Sequence, residues 1–402
     1  MTAVLSPAVP FTVPPFAAGA EAAVQRVLRS GWVTTGPECA AFEAELSKYL
    51  GTEAGGQPHL VTVASCTQAL ELSLRALRLD PGAPVLTPSL TFCGAVGAIV
   101  HAGYRPVLVD VDEATLTPSP ETVAAAAARV GRMAAARAGR PAAIVGCDLG
   151  GYPVDHRALA EAAGLPDRRV IVDAAHGPGG DVGRGAFFAT CLSFYATKNL
   201  PIGEGGAVAT HDADLATWLR SARLHGMTRD AWRRYLPGGS WRYQVAEIGY
   251  KANLTDLQAA IGRAQLVALP DWQARRAALV ARYDAALRAA GLADVVRVPR
   301  RHPGHAWHLY QVLVPRRDEI SAALADAGIG TSVHFIPVHR LHGYRQVLDA
   351  DEPGAVPATD RVADRLLSLP LYPGLSDAAV DLVVERLARL LAPHPHNGGE
   401  PC

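Results

Sequence analysis

Lysine is the scarcest charged residue in this chain. Of 38 basic residues only Lys48, Lys198 and Lys251 are lysines, and the rest are arginines. Arginine serves for surface charge and ion pairs, but its guanidinium stays protonated and delocalised and cannot form a Schiff base. A lysine kept against that bias is either a solvated survivor or a residue retained for chemistry arginine cannot do. Other scarcities exclude whole classes. Net charge is zero, with 38 acidic and 38 basic residues and no basic block or acidic tail. That pattern argues against nucleic acid and membrane surfaces as main partners. No run reaches about 18 apolar residues, so no transmembrane helix is expected. Met1 to Phe16 is proline-rich and lacks the charged and apolar regions of a signal peptide. The six cysteines are scattered without a C-x-x-C pair. In a chain this long they read as reduced thiols in the cytoplasm, and no metal site is expected.

What is present suits a large core: 402 residues, 49% hydrophobic and 19% charged, enough for about two or three domains. From about residue 20 to 265, short apolar runs alternate with helical patterns. The expected strands are Leu60–Val63, Pro84–Thr87, Pro106–Val109, Ala142–Val145, Val170–Val172, Leu192–Tyr195 and Ala207–Ala209. Such runs, bounded by Gly, Pro or Asp, fit strands buried on both faces of a mostly parallel sheet. Helices are expected over Thr67–Leu79, capped by its first threonine, and over the alanine-rich Glu121–Ala138. Thr255–Leu269 and Trp272–Ala290 read as two helices separated at Pro270. Beyond about residue 295 the pattern becomes α+β, with strands over His305–Val314 and Thr331–Pro337 and helices over Ser321–Ala327 and Ala378–Leu391. The expected divisions are an arm (1–19), a large α/β domain (20–270), a small α+β domain (271–392) and a disordered tail (393–402).

Four segments suit one flat, phosphorylated cofactor. Ala64–Leu70 follows a strand and opens a helix, so the amides of Cys66 and Thr67 point at an anion; an ordinary N-cap would look the same. Asp173 ends a buried apolar strand, where a lone carboxylate is costly unless paired. A protonated pyridine nitrogen would pair it, as would a salt bridge or a metal. Ser193 and Lys198 share the next strand and turn, so a hydroxyl could meet a phosphate while the lysine reaches an aldehyde carbon. Phe92, after another strand, would stack on a ring or fill the core. Lys198 is thus a candidate to hold pyridoxal 5'-phosphate (PLP) as a Schiff base.

Taken in order, these segments resemble the DegT/DnrJ/EryC1/StrS aminotransferases, PLP enzymes of fold type I that act on keto-sugars. The resemblance covers nearly the whole chain. It rests on Leu28–Pro37, Thr87–Phe92, Asp173–His176, Ser193–Asn199 with Glu204–Gly206, Gly249–Ala260 and Ser368–Tyr372. It implies a mixed, mostly parallel sheet flanked by helices, with a smaller α+β domain. It implies that Lys198 binds the cofactor covalently and then acts as acid and base. Asp173 would hold the ring nitrogen, His176 would sit near the ring hydroxyl, and Phe92 would stack on the ring. Cys66, Thr67 and Ser193 would bind the phosphate, joined by Lys251 or Asn253 from a second subunit. A homodimer with sites at its interface follows. Cys66 replaces the family's common glycine, but the donor there is a backbone amide. The loop Arg229–Tyr243, with Trp232, Arg233, Arg234, Trp241 and Arg242, would bind a nucleotide diphosphate or pack at a dimer interface.

Within the family, Ser30–Pro37, Ala306–Leu309 and Gly328–Phe335 look like enzymes that install a C4 amine on nucleotide-linked keto-sugars, such as the UDP-4-amino-4-deoxy-L-arabinose enzyme. Thr34, Thr35 and His334 would then contact the substrate. His308 would do so too, or would serve packing. Glutamate is the expected amino donor. The alternatives are a cyclitol ketone aminotransferase, a dehydratase of the same fold, and a non-catalytic regulator. The retained Lys198, Asp173 and Ser193 weigh against the last two.

Overall fold

The computed structural model describes residues 8–51, 56–132, 139–181, 185–227, 242–348 and 355–392. Seven short runs form the central sheet: β1 (His59–Val63), β2 (Pro84–Pro88), β3 (Arg105–Val109), β4 (Ala143–Cys147), β5 (Val170–Asp173), β6 (Ala189–Ser193) and β7 (Gly206–Thr210). β4 to β7 are buried at every residue, because helices cover both faces. The strand order is β1-β7-β6-β5-β4-β2-β3. β7 runs antiparallel to both neighbours, and β2 to β6 pair in parallel. The sheet is therefore the mixed, mostly parallel one expected. Its carboxyl ends place Cys147, Asp173 and Ser193 along one edge, where open α/β sheets bind ligands. The strand expected over Leu192–Tyr195 begins earlier and ends at Ser193.

Expectations for other single elements are corrected. The helix expected from Thr67 starts at Cys66 and runs to Ala76. Its cap is Ser65, whose hydroxyl accepts the Gln68 N–H at 3.2 Å. The two helices expected around Pro270 are one helix, Asp256–Ala289. An internal proline removes a backbone hydrogen bond and costs about 3 kcal/mol. Burial outweighs it: Leu269 is packed in the main core, and Leu279, Val280, Tyr283 and Leu287 are packed in the C-terminal one. A Thr255–Gln258 capping box secures the start. The boundary expected at residue 270 thus falls inside a helix that joins two cores.

In the C-terminal region the strand expected over His305–Val314 is only β8 (Tyr310–Leu313). The N–H groups of Ala306, His308 and Leu309 instead donate to the Gly150–Gly151 carbonyls, away from any ladder. Thr331–Pro337 is no strand either. β8 pairs antiparallel with β9 (Leu366–Leu369), and 331–337 meets β9 through a single backbone bridge, Ser332–Ser368, and the His334 side chain. Val9 bridges to Ile329, and Gln265 ties Pro15, Ala17 and Pro201 together. The tail 393–402, residues 133–138 of the expected Ala-rich helix and most of the loop 229–243 lie outside the described residues. Among the described residues no helix is long and apolar enough to cross a membrane.

Candidate active site

A cavity of about 460 Å³ opens at the carboxyl edge of the sheet. Its lining unites Cys66, Thr67, Phe92, Asp173, His176, Ser193, Lys198, His308 and His334. Residues far apart in the chain meet there because each follows a strand end or sits in a loop packed over one.

Lys198 lies in the turn after β6, where its N–H donates to the Tyr195 carbonyl at 2.9 Å. Burial lowers its affinity for a proton, while Asp173, Cys66 and Cys147 pull the other way. Asp173 is buried, and burial raises its carboxyl above the ordinary range. It accepts the Ala175 N–H at 3.0 Å and the Cys66 thiol at 3.8 Å. In the helix that starts at Cys66, the first N–H groups have no partner within the helix. Ser65 takes that of Gln68, which leaves Cys66 and Thr67 to face a ligand. Gly206 of β7 permits the closeness: a Cβ there would lie 2.6 Å from the Cys66 nitrogen.

Three histidines complete the wall, and burial is the largest cause holding each one's pKa down. His176 Nδ1 accepts the Gly150 N–H at 2.9 Å, so in the neutral ring Nε2 carries the proton. His308 Nδ1 lies 3.1 Å from Asn199 Oδ1, while Asn199 Nδ2 donates to the carbonyls of Pro178 and Ala306. That pattern assigns the proton to His308 Nδ1 and leaves Nε2 an acceptor. His334 is hydrogen-bonded to Ser368 at 3.0 Å and pushed down to about 4. The His176 and His308 rings are 4.4 Å apart. Phe92 is 53% exposed at the rim, 5.7 Å from Phe335, so it is not a core aromatic.

Four expected residues do not line this cavity. Lys251 donates to Asn253 at 2.6 Å, and Asn253 donates to the Thr35 hydroxyl at 2.7 Å. Thr34 accepts the Asp256 N–H through its carbonyl. Sequence reasoning missed Cys147, Tyr195, Thr197 and Glu204 in the lining. It also missed the Gly150 turn that orients His176; glycine after the Cys147 strand end was the available signal. A Ser89–His339–Asp360 chain, at 2.7 and 3.0 Å, has the elements of a nucleophilic triad. Ser89 is fully buried and lines no such cavity; its carbonyl, just beyond β2, accepts the Val338 N–H, so the chain sits at a packing contact.

These features fit PLP. The free amides and hydroxyls suit its phosphate, the buried carboxylate suits its ring nitrogen, and the buried lysine suits its aldehyde. Among the described residues no group of three or more His, Cys, Asp and Glu could hold a metal ion. Fold and site together define a PLP-dependent aminotransferase of fold type I. Residues 17–388 match the DegT/DnrJ/EryC1/StrS aminotransferase family, and the chain belongs to it. It is 41% identical over 382 residues to the spore coat polysaccharide biosynthesis protein SpsC of Bacillus subtilis (strain 168), covering 90% of this chain and 92% of the relative. The structure of DesV from S. venezuelae, in complex with a ketimine intermediate, superposes with a TM-score of 0.79 at 33% identity, covering 94% and 95% of the two chains. The PLP form of Spr1654 from Streptococcus pneumoniae, a putative sugar aminotransferase, gives 0.81 at 27% identity, covering 95% and 98%.

Proposed function

We propose that this enzyme aminates the 4-keto group of a nucleotide-linked sugar, with glutamate as donor, and works as a cytoplasmic homodimer whose sites lie at the subunit interface. The observation that carries the reading is the cavity wall. Beyond Lys198 and Asp173 it offers neutral histidines, one with a donor and one with an acceptor at Nε2. A sugar ketone brings neutral hydroxyls, which such groups match without burying charge. The named functions of the relatives, in polysaccharide and sugar chemistry, support the same class. Lys198 is the sole lysine or arginine in the described lining. The diphosphate therefore needs cations from elsewhere, and Arg242 with the Lys251–Asn253–Thr35 cluster, approached by a second subunit, would supply polar contacts. Thr34 falls beside that cluster.

PLP, when bound, supplies an electrophilic carbon and an electron-withdrawing ring. Lys198 Nζ would hold it and, once released, accept and return a proton, a role that its lowered pKa favours. Asp173 would keep a proton on the ring nitrogen. The amides of Cys66 and Thr67, with the Ser193 hydroxyl, would anchor the phosphate. His176 Nε2–H would donate to the ring hydroxyl oxygen, and Phe92 would cover the ring. His334 and His308 would bind the sugar. The test is amination by purified enzyme from ¹⁵N-glutamate of a panel of nucleotide-linked 4-keto-sugars, 3-keto-sugars and a free inosose, read by mass spectrometry. Label in a 4-keto-sugar product supports the proposal. Label only in the inosose would replace it with the cyclitol reading.

A further inference from the structure

β4 ends at Cys147, which pairs with Asp173 across the parallel ladder. The next residue, Asp148, is fully buried, and its N–H donates to the Asp173 carbonyl at 3.1 Å. Asp148 Oδ1 accepts the Val154 N–H at 3.1 Å and lies 2.8 Å from Nε2 of His156, itself buried. Neither side chain lines the cavity. The pocket for the imidazole is built in: a Cβ on Gly146 would lie 2.6 Å from His156 Cε1. A buried Asp–His contact is weak evidence for stability, because the cost of burying its polar groups offsets what the contact gains. Here Asp148 Oδ2 is also buried without a partner. The pair therefore calls for a role other than stability.

Its position supplies one. The Val154 contact, with the Gly151 N–H donating to the Asp148 carbonyl at 3.0 Å, closes the loop 148–154. That loop reaches the active site three times. Gly150 N–H donates to His176 Nδ1 at 2.9 Å. The Gly150 carbonyl accepts the His308 N–H at 3.0 Å, and the Gly151 carbonyl accepts that of Ala306 at 2.8 Å. The loop that this buried pair closes thus holds two histidines of the cavity. The Asp148 carboxylate also acts on Asp173 and opposes the charge of Lys198; the thiols of Cys66, Cys147 and Cys191 and the Ala175 N–H also face Asp173.

We propose that Asp148 and His156 form a positioning pair, which aligns His176 and His308 in the cavity and sets a second carboxylate behind Asp173 so that the bound ring nitrogen keeps its proton. This goes beyond the substrate reading, since it holds whichever ketone is aminated. The test uses the PLP-loaded enzyme and four proteins: wild type, Asp148→Asn, His156→Gln and His156→Ala. With Asp148→Asn, kcat should fall about tenfold or more while the donor KM stays within about twofold. The visible absorbance of the bound cofactor should titrate at a pH lower by about half a unit to one unit. His156→Gln keeps a donor toward Asp148 and should retain most of kcat, whereas His156→Ala should not. Asp148→Asn with wild-type kcat and titration would overturn the proposal. So would His156→Gln and His156→Ala that match each other and lose only thermal stability. Should Asp148→Asn fail to fold, the two His156 variants decide.

Discussion

Gly206→Ala tests the anchoring of the cofactor phosphate without touching a single side chain of the site. Gly206 pairs with Ser193 on one side and Val63 on the other, and its α-carbon faces the start of the helix at Cys66. An added methyl would meet the Cys66 nitrogen and Ser65 carbonyl carbon at 2.6 Å and the Ser65 oxygen at 2.7 Å. All three are backbone atoms, so no rotamer change relieves the clash. β7 and the helix end must separate by roughly 0.8 Å to restore ordinary contact, an overpacking that costs about 1–3 kcal/mol. The same shift would move the Cys66 and Thr67 amides off the phosphate position proposed for them. Losing one hydrogen bond to a charged group costs about 1.5–3 kcal/mol, which means PLP binding weaker by about 10- to 100-fold. Apo protein titrated with PLP, followed by absorbance and by thermal unfolding, measures both effects. Gly343→Ala is the control, since nothing lies within 4 Å of its added carbon. Wild-type PLP affinity in Gly206→Ala would refute the assignment of this helix end as the phosphate anchor.

Further outcomes follow from the same geometry. Lys198→Arg keeps the charge but not the nucleophile, so the visible absorbance of covalently bound cofactor should vanish and turnover should fall by about 10²–10⁴ or more; ordinary turnover would remove Lys198 from its role. His334 is held at about 4 when folded, against 6.5 when exposed. The unfolded chain therefore binds more protons between those values, so the stability this group secures is full above about 6.5 and is lost as pH falls toward 4. That amounts to roughly 3 kcal/mol. In the apo protein His334→Gln should flatten the dependence of urea-unfolding free energy on pH in that window, and an unchanged slope would refute it. Cys66→Gly keeps the backbone amide, so PLP affinity should change less than about threefold by titration; a large loss would mean that the thiol, not the amide, holds the phosphate. If Lys251 acts across a dimer interface, mixing inactive Lys198→Ala with Lys251→Ala subunits should restore activity to hybrid dimers, and no recovery would place Lys251 outside the partner's site.

Much of the site was legible in the chain. Lys198 stood out because arginine replaced lysine almost everywhere else, and Asp173 because a carboxylate ended a run of buried valine and isoleucine. The strands were legible because residues covered on both faces must be apolar in unbroken runs. Helix breaks and C-terminal strands were not. Pro270 signals a stop locally, yet packing of one helix against two cores outweighs it. His305–Leu309 has strand composition, but its N–H groups find partners in the Gly150–Gly151 loop. Sequence patterning by itself singled out the residues proposed for the cofactor chemistry and showed that they follow strand ends, because burial and charge cost act residue by residue. Only the tertiary structure decided that Asp148 lies beside Asp173 and meets His156, that the Gly150 N–H meets His176, and that Lys251, Asn253 and Thr35 gather away from the cavity. Those relations depend on which segments the sheet order brings side by side, and no local property of the chain encodes that order.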